Sequence, residues 1–469
     1  MRFSALFRYV LLMIVAFSFS VHAGIIYVDG EADGSGDGSS WANAYMHLND
    51  ALAVAVSGDE VRTAGGVYYP DINSASGTHT GDRLSSFVVG NGVTLVGGYA
   101  GSQYADGDYR NFELHPTVLS GDIGASGDLS DNSYSVVKTV SGQNIRIEGF
   151  TITGGNANGE NLSTRRGGGM YLNSRITISN CTITNNYAFL DGGGIYLSSY
   201  FELFDSAITD NIAGRSGGGL YLPNDHGSRI TRCRISRNQS ETNEGYFGYG
   251  GGIYLGNAYY MTITDSLIAD NRSKNPGSAI RFTGSLMVIN CTIVNNHPEW
   301  LNIGNGNFWL HSSIVWGNTP IDDSLWGDIP GAWNCCLQNN TFDEQRCNIS
   351  EDPQFDSDGK GYRLLAGSPC IDAGLSLFLF EDQTRDLDKR LRVVDGDYNG
   401  QPTVDMGAYE YACAGNLDVT PTVTMTDFAV FAAELQSTDC TGCLADFNHD
   451  YRVDMTDFAV LASYWLVCN

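Results

Sequence analysis

Apolar and polar residues alternate in short runs along the middle of the chain, and the runs return at near-constant spacing. The string GGGMYL begins at Gly167, GGGIYL at Gly192, GGGLYL at Gly217 and GGGIYL again at Gly250, with a decayed copy, GSAIRF, at Gly277. A second string keeps step with it: ISNCTITNN from Ile178, LFDSAITDN from Leu203, ITRCRISRN from Ile230, ITDSLIADN from Ile263 and VINCTIVNN from Val288. Its central isoleucine anchors a column, Ile152, Ile183, Ile208, Ile235, Ile268, Ile293 and Ile314, most often 25 residues apart. Alternation rich in β-branched residues and broken by Gly and Asn predicts short strands and turns. No apolar spacing of helical period lies between them, which excludes helix-containing repeats.

A unit of this length suits one turn of a solenoid with three short strands, and stacked turns bury the isoleucine column as one core. A propeller blade needs a longer, four-stranded unit. The predicted fold class is therefore all-β: a right-handed parallel β-helix, a single-stranded solenoid, followed by a small α-helical EF-hand-like module. Three residues after each isoleucine stands Asn186, Asn211, Asn238, Asn271 or Asn296. Amides stacked at one turn can donate and accept along the axis and satisfy turn backbone that would otherwise be buried unpaired.

The flanks carry the ends of the solenoid. From Ile25, IIYVDGEADGSGDGSSWANAYMHLNDALAVAVSGDEV reads as a first strand, a Gly/Asp loop and a helix from about Trp41 to Val56 covering the open end of the core. At the other end stand EDPQFDSDGKGYRLLAGSPCIDAG and VDMGAYEY. Together with the repeats, these segments resemble the pectate-lyase-like family of secreted parallel β-helix proteins, over nearly everything from Ile25 to Tyr411. The resemblance implies the fold. It carries over no catalytic residue, because no motif of pectate lyases or polygalacturonases is present.

Arg2 and Arg8, the apolar run Tyr9 to Phe19 and the small-x-small Val21-His22-Ala23 fit an export leader. No later stretch approaches the roughly 20 apolar residues of a membrane helix. The expected organisation is a signal peptide over 1–23, a solenoid cap over 24–60, the β-helix over 61–411 and a calcium-binding module over 412–469, in a secreted, extracellular or surface-associated protein. Cys181, Cys233 and Cys291 fall inside the repeats and are expected to be buried thiols. Disulfides are expected among Cys335, Cys336, Cys347 and Cys370 and among Cys413, Cys440, Cys443 and Cys468, with the pairing open.

In the last module Asp446, Asn448, Asp450, Asp454 and Asp457 stand at loop positions 1, 3, 5, 9 and 12, with the Arg452 carbonyl at position 7. Calcium takes six to eight hard oxygens, and this spacing wraps them around one ion. Position 6 is Tyr451 where a Gly is expected. A weaker copy offers Asn416, Asp418, Thr420, Thr424 and Asp427. Duplicated half-loops, each followed by one helix, resemble type I dockerins. The resemblance implies calcium as cofactor and a cohesin-like partner, met through Met425-Thr426 and Met455-Thr456.

The formal charge is −27, which makes nucleic acid and anionic membranes poor partners. Between Glu160 and Ser285, however, eleven basic residues face ten acidic ones, so the central coils are near neutral. Two columns there carry candidate chemistry. Tyr171, Tyr196, Tyr221 and Tyr254 face outward from the GGG-x-Y-L strands, as a carbohydrate-binding stripe or as a self-stacked ladder that stiffens the sheet. Three residues before the isoleucines stand Asn180, Asp205, Arg232, Asp265, Asn290 and His311. Asp205, Arg232 and Asp265 are the candidate catalytic cluster, with a polar ladder and a compensating salt bridge as the competing reading. The expected function is a polysaccharide lyase or glycoside hydrolase acting on a long glycan, or alternatively a non-catalytic glycan-binding or adhesin-like surface protein.

Overall fold

The computed structural model describes residues 23–224, 227–242, 245, 247–298, 301–318, 331–338, 346–356, 361–376, 384–397 and 399–411. In the last module it describes 425–435, 445, 453–455, 457–459 and 462. The leader segment, the loop residues Asp446, Asn448, Asp450 and Arg452, the weaker half-loop up to Thr424, and Cys413, Cys440, Cys443 and Cys468 lie outside the described residues.

The repeats coil into a parallel β-helix. One coil runs through Met170–Leu172, Ile176–Ser179 and Thr182–Thr184. A further two-residue strand, Tyr187–Ala188, adds a fourth stretch to the three predicted. Each pairs in parallel with its counterpart 25 residues later, Met170 with Ile195, Ile176 with Phe201 and Ile183 with Ile208. The strands assemble into a 16-stranded sheet that wraps two sides, a 10-stranded second sheet and a short 4-stranded third one. From Ile253–Thr264 onward the two sides of the large sheet become continuous, because that twelve-residue strand passes through the bend with two register shifts.

The predicted isoleucine column is the core of the second sheet, fully buried from Ile152 to Ile293. Its last member is wrong by one residue: Ile293 pairs with Val315, and Ile314 pairs with Thr292. Ile314 instead packs outside the coil against Cys336, Leu364, Cys370 and Met406. The asparagine ladder fixes the register. Asn186 donates from its backbone N and from Nδ2 to Asn211 Oδ1, at 3.1 and 3.0 Å. The pattern repeats through Asn238, Asn271 and Asn296 and ends on Asn318, three residues after Val315.

Cys181, Cys233 and Cys291 are buried thiols, as expected, and alternate along the stack with Ser206, Ser266 and Ser313. Each serine Oγ accepts from the backbone N of the preceding cysteine, at 3.0 to 3.1 Å. The disulfides expected within the described residues are absent: Cys335, Cys336, Cys347 and Cys370 are all free, and only Cys347 is exposed.

The helix that closes the first coil spans Leu48–Val54, shorter than the predicted Trp41 to Val56. The residues before it are tied to the first strand, since Tyr45 N donates to Tyr27 O and accepts Asp29 N on its carbonyl, at 2.9 Å each. Trp41 meets the Tyr27 ring edge-on and lies tilted against Tyr99. Leu48, Ala51 and Leu52 cover the end of the core. In the last module the helix Met425–Glu434 packs through Phe428 and Phe431 onto Phe458. Among the described residues no helix is long and apolar enough to cross a membrane.

Candidate functional site

The polar column that the sequence singled out is a column of left-handed corners. Asn180, Asp205, Arg232, Asp265 and Asn290 all turn the chain between the large and second sheets with φ between 48 and 51°. Asn and Asp tolerate this region and a long side chain does not, at roughly 1–2 kcal/mol. His311 does not belong to the column. Ser312 holds its corner, at φ 46°, the same one-residue slip that displaced Ile314. His311 lies instead against the Trp333 ring, and burial pulls its pKa down to about 4. A second corner column, Asn185, Asp210, Arg237, Asp270 and Asn295, follows five residues later.

Two of the three candidate catalytic residues meet. Arg232 grips Asp205 with both arms of its guanidinium, Nε to Oδ1 at 2.7 Å and Nη2 to Oδ2 at 3.2 Å, and both side chains remain partly exposed. Asp265, one coil further on, is fully buried and turned to another partner. Its Oδ1 accepts from Arg392 Nε at 3.1 Å and from Asn290 Nδ2 at 3.3 Å. Arg392 is itself fully buried, and also donates to Glu410 Oε1 at 2.7 Å and to the Gly407 carbonyl at 2.6 Å. Burial raises the pKa of Asp265 above its ordinary value, and the neighbouring Arg392 charge offsets part of that rise.

The reason for this division is coverage. The outer face of the second sheet presents the register Thr151, Thr182, Ala207, Arg234, Leu267 and Thr292. From Leu267 onward the segment after the last coil lies over it, packing Phe355, Tyr362 and Leu387 onto Leu267, Ala269 and Val294. Before Leu267 the small side chains stay open as the floor of a groove of about 310 Å³. Phe112 and Glu113 wall one end, Leu387 and Lys389 the other, and Asn180, Asp205 and Arg232 line the edge. Arg234 rises from the floor and reaches Asp388 at 3.3 Å, which also holds Arg363. Sequence reasoning missed Glu113, Lys389 and Arg392, because all three stand outside the periodic part of the chain.

The four tyrosines form one stack. Ring centroids of Tyr171, Tyr196, Tyr221 and Tyr254 follow at 5.0, 5.6 and 4.8 Å, with planes within 7 to 11° of parallel. Inner ring faces therefore cover each other, leaving edges and hydroxyls outward. Arg166 lies over Tyr196 and pairs with the buried Asp191, which also holds Arg215.

Two places gather possible metal ligands. In the last module Asp457 is fully buried, and its Oδ2 accepts from Asp454 N at 3.0 Å. Elsewhere, carboxylate oxygens of Asp372, Asp395 and Asp397 lie within 4.8 Å of one another. This second group was not read from the sequence, although Asp395-Gly-Asp397-Tyr-Asn399-Gly400 spaces oxygens at alternate positions.

Residues 135–319 match the family model described as right handed beta helix region. Among solved structures the chain is similar to pectate lyase Pel9A, with a TM-score of 0.50 and 14% identity over 84% of this chain and 98% of that one. It is also similar to pectin methylesterase PemA from Erwinia chrysanthemi, with a TM-score of 0.33 and 11% identity over 70% of this chain and 92% of that one. No curated protein matches the sequence.

Proposed function

We propose that this is a secreted carbohydrate-active protein that lays a long acidic polysaccharide along the groove beside Asp205 and Arg232. The observation that carries this reading is the composition of the groove in a chain of charge −27: Arg232, Arg234 and Lys389 line one open channel floored by Thr151, Thr182 and Ala207. Small polar side chains admit a sugar chain, and cations attract its carboxylates. Of the two expected chemistries, lyase action suits these side chains better. β-Elimination from a uronate needs cations that neutralise the carboxylate and a base for the C5 proton, whereas hydrolysis needs two carboxylates at suitable separation. Asp265 is sealed under Arg392 and lends the groove no carboxylate, so the carboxylates that line it are Asp205, gripped by Arg232, and Glu113 at one end. The likeness to pectate lyase Pel9A is one of fold and adds no residue to this reading.

A non-catalytic glycan-binding protein is the second reading. It is favoured by one contact: Asp205 is engaged by Arg232 through both oxygens, which suits a fixed recognition surface. The last module is proposed to bind calcium through Asp446, Asn448, Asp450, the Arg452 carbonyl, Asp454 and Asp457, and to tether the protein to a cohesin-like partner. Met455, at a position that contacts cohesin in dockerins, is exposed.

The test is incubation of the mature protein, with and without calcium, against acidic and neutral polysaccharides, following unsaturated-uronate absorbance and new reducing ends together. Unsaturated product that disappears in Asp205→Ala and Arg232→Ala supports the lyase, and reducing ends alone support a hydrolase. Binding without product supports the second reading. The absence of both binding and product would overturn the proposal.

A further inference from the structure

A loop away from the groove holds buried oxygens that no protein donor reaches. Residues 121–133 follow the strand Thr117–Ser120 and lie against the short strand Asn156–Ala157. Asn156 N donates to Ser133 O at 2.8 Å, and its Nδ2 to Leu129 O at 2.5 Å. From the other side, Asn132 Nδ2 donates to Gly154 O at 2.7 Å. Both side chains thus stand between the same two segments, and with each nitrogen committed, the remaining atom of each amide is an oxygen. Asp131 turns its carboxylate into the same loop, where Oδ2 accepts from Ala125 N at 2.8 Å. Gly124 sits in the left-handed region at φ 75°, which favours glycine, and a Cβ there would lie 2.4 Å from that carboxylate oxygen.

Asn132 Oδ1, Asn156 Oδ1 and Asp131 Oδ1 are all buried, and no hydrogen-bond donor among the described residues reaches them. Asn132 is 1% exposed and Asn156 7%. Arg83 donates to the carbonyls of Asn132 and Asn156 and to Asn158 Oδ1, and not to these three oxygens. Residues 116–137 contain Asp122, Asp128 and Asp131 and no lysine or arginine. A buried acceptor without a donor costs about 1–3 kcal/mol. One water offers two hydrogens, too few for three acceptors of which one is a carboxylate. One cation shared between them would satisfy all three, and a set of oxygens with no nitrogen or sulfur selects a hard one.

We propose that this loop is a calcium site, with Asp131 as its charged ligand and the side-chain oxygens of Asn132 and Asn156 as neutral ones. The site locks the entry of the second sheet to the third, independently of any calcium in the last module.

The test uses the full chain carrying Asp446→Ala, Asp450→Ala and Asp395→Asn, which silences the other two acidic loops. After dialysis against micromolar calcium, metal analysis should find one calcium per chain, and adding Asp131→Asn should bring it to none. Calcium at a hundredfold excess over its Kd should raise the unfolding midpoint of the strand circular-dichroism signal by about 3 °C, and by nothing in Asp131→Asn. No calcium in the background chain, or calcium unchanged by Asp131→Asn, would overturn the proposal and leave the oxygens to buried water.

Discussion

Arg392 Nε lies 3.1 Å from Asp265 Oδ1, across 127 positions of sequence. Both side chains are fully buried, and Glu410 shares the same guanidinium. The contact pins the segment after the last coil onto the solenoid, and so decides where the groove ends. Removing one partner of a buried ion pair strands the other, at about 3–5 kcal/mol. Arg392→Met is therefore expected to lower the urea stability by about that amount and to release the covering segment to protease. Adding Asp265→Asn and Glu410→Gln should recover most of the loss. A single variant within 1 kcal/mol of the native chain would show that the pair does not hold the segment.

A smaller effect of opposite sign is expected at Arg237. Its backbone sits in the left-handed region at φ 55°, and its pair with Asp210 is largely exposed. The strain is about 1–2 kcal/mol for a residue of this type, while an exposed ion pair contributes about 0–1. Backbone strain wins. Arg237→Asn, which matches Asn185 and Asn295 in the same column, should raise stability by about 0.5–1 kcal/mol by equilibrium unfolding. A loss of stability would mean that the surface pair outweighs the corner.

The periodic features were legible in the sequence because each coil repeats one set of physical demands. Core isoleucines and the asparagine ladder recur at the coil spacing, and the buried Cys181, Cys233 and Cys291 on every second coil. The slip at Ile314 and His311 came from aligning on a side-chain type where two apolar residues are adjacent, although Asn318 marks the true register. Column spacing also placed the tyrosines but not their rings, which the strand separation drives into a stack. What could not be read was coverage. Nothing periodic in DLDKRLRVVDGD announces that Arg392 will seal Asp265 while Lys389 borders an open groove.

The covering segment should also respond to pH. Burial pushes the Asp405 carboxyl up to about 7 and Asp386 up to about 6, against ordinary values near 3.8. A carboxyl whose pKa is raised by folding binds its proton more tightly in the native state. Its contribution to stability is complete below about pH 4 and is lost as pH rises through about 7. Asp405→Asn mimics the protonated acid, so its urea midpoint should gain on that of the native chain between pH 4.5 and pH 7.5. A difference between the two chains that stays constant over that interval would contradict the raised value.

On the proposed reading, glycan binds in the groove at Asp205 and Arg232 rather than on the tyrosine stack. Affinity electrophoresis of the native chain, Arg232→Ala/Arg234→Ala and Tyr221→Ala through gels containing an acidic polysaccharide tests it directly. Retardation of the native chain that falls at least about tenfold in the arginine variant and stays within about twofold in Tyr221→Ala is the predicted result, as expected when charge-assisted contacts carry recognition. Retardation lost in Tyr221→Ala and kept in the arginine variant would move the binding site to the other face of the solenoid.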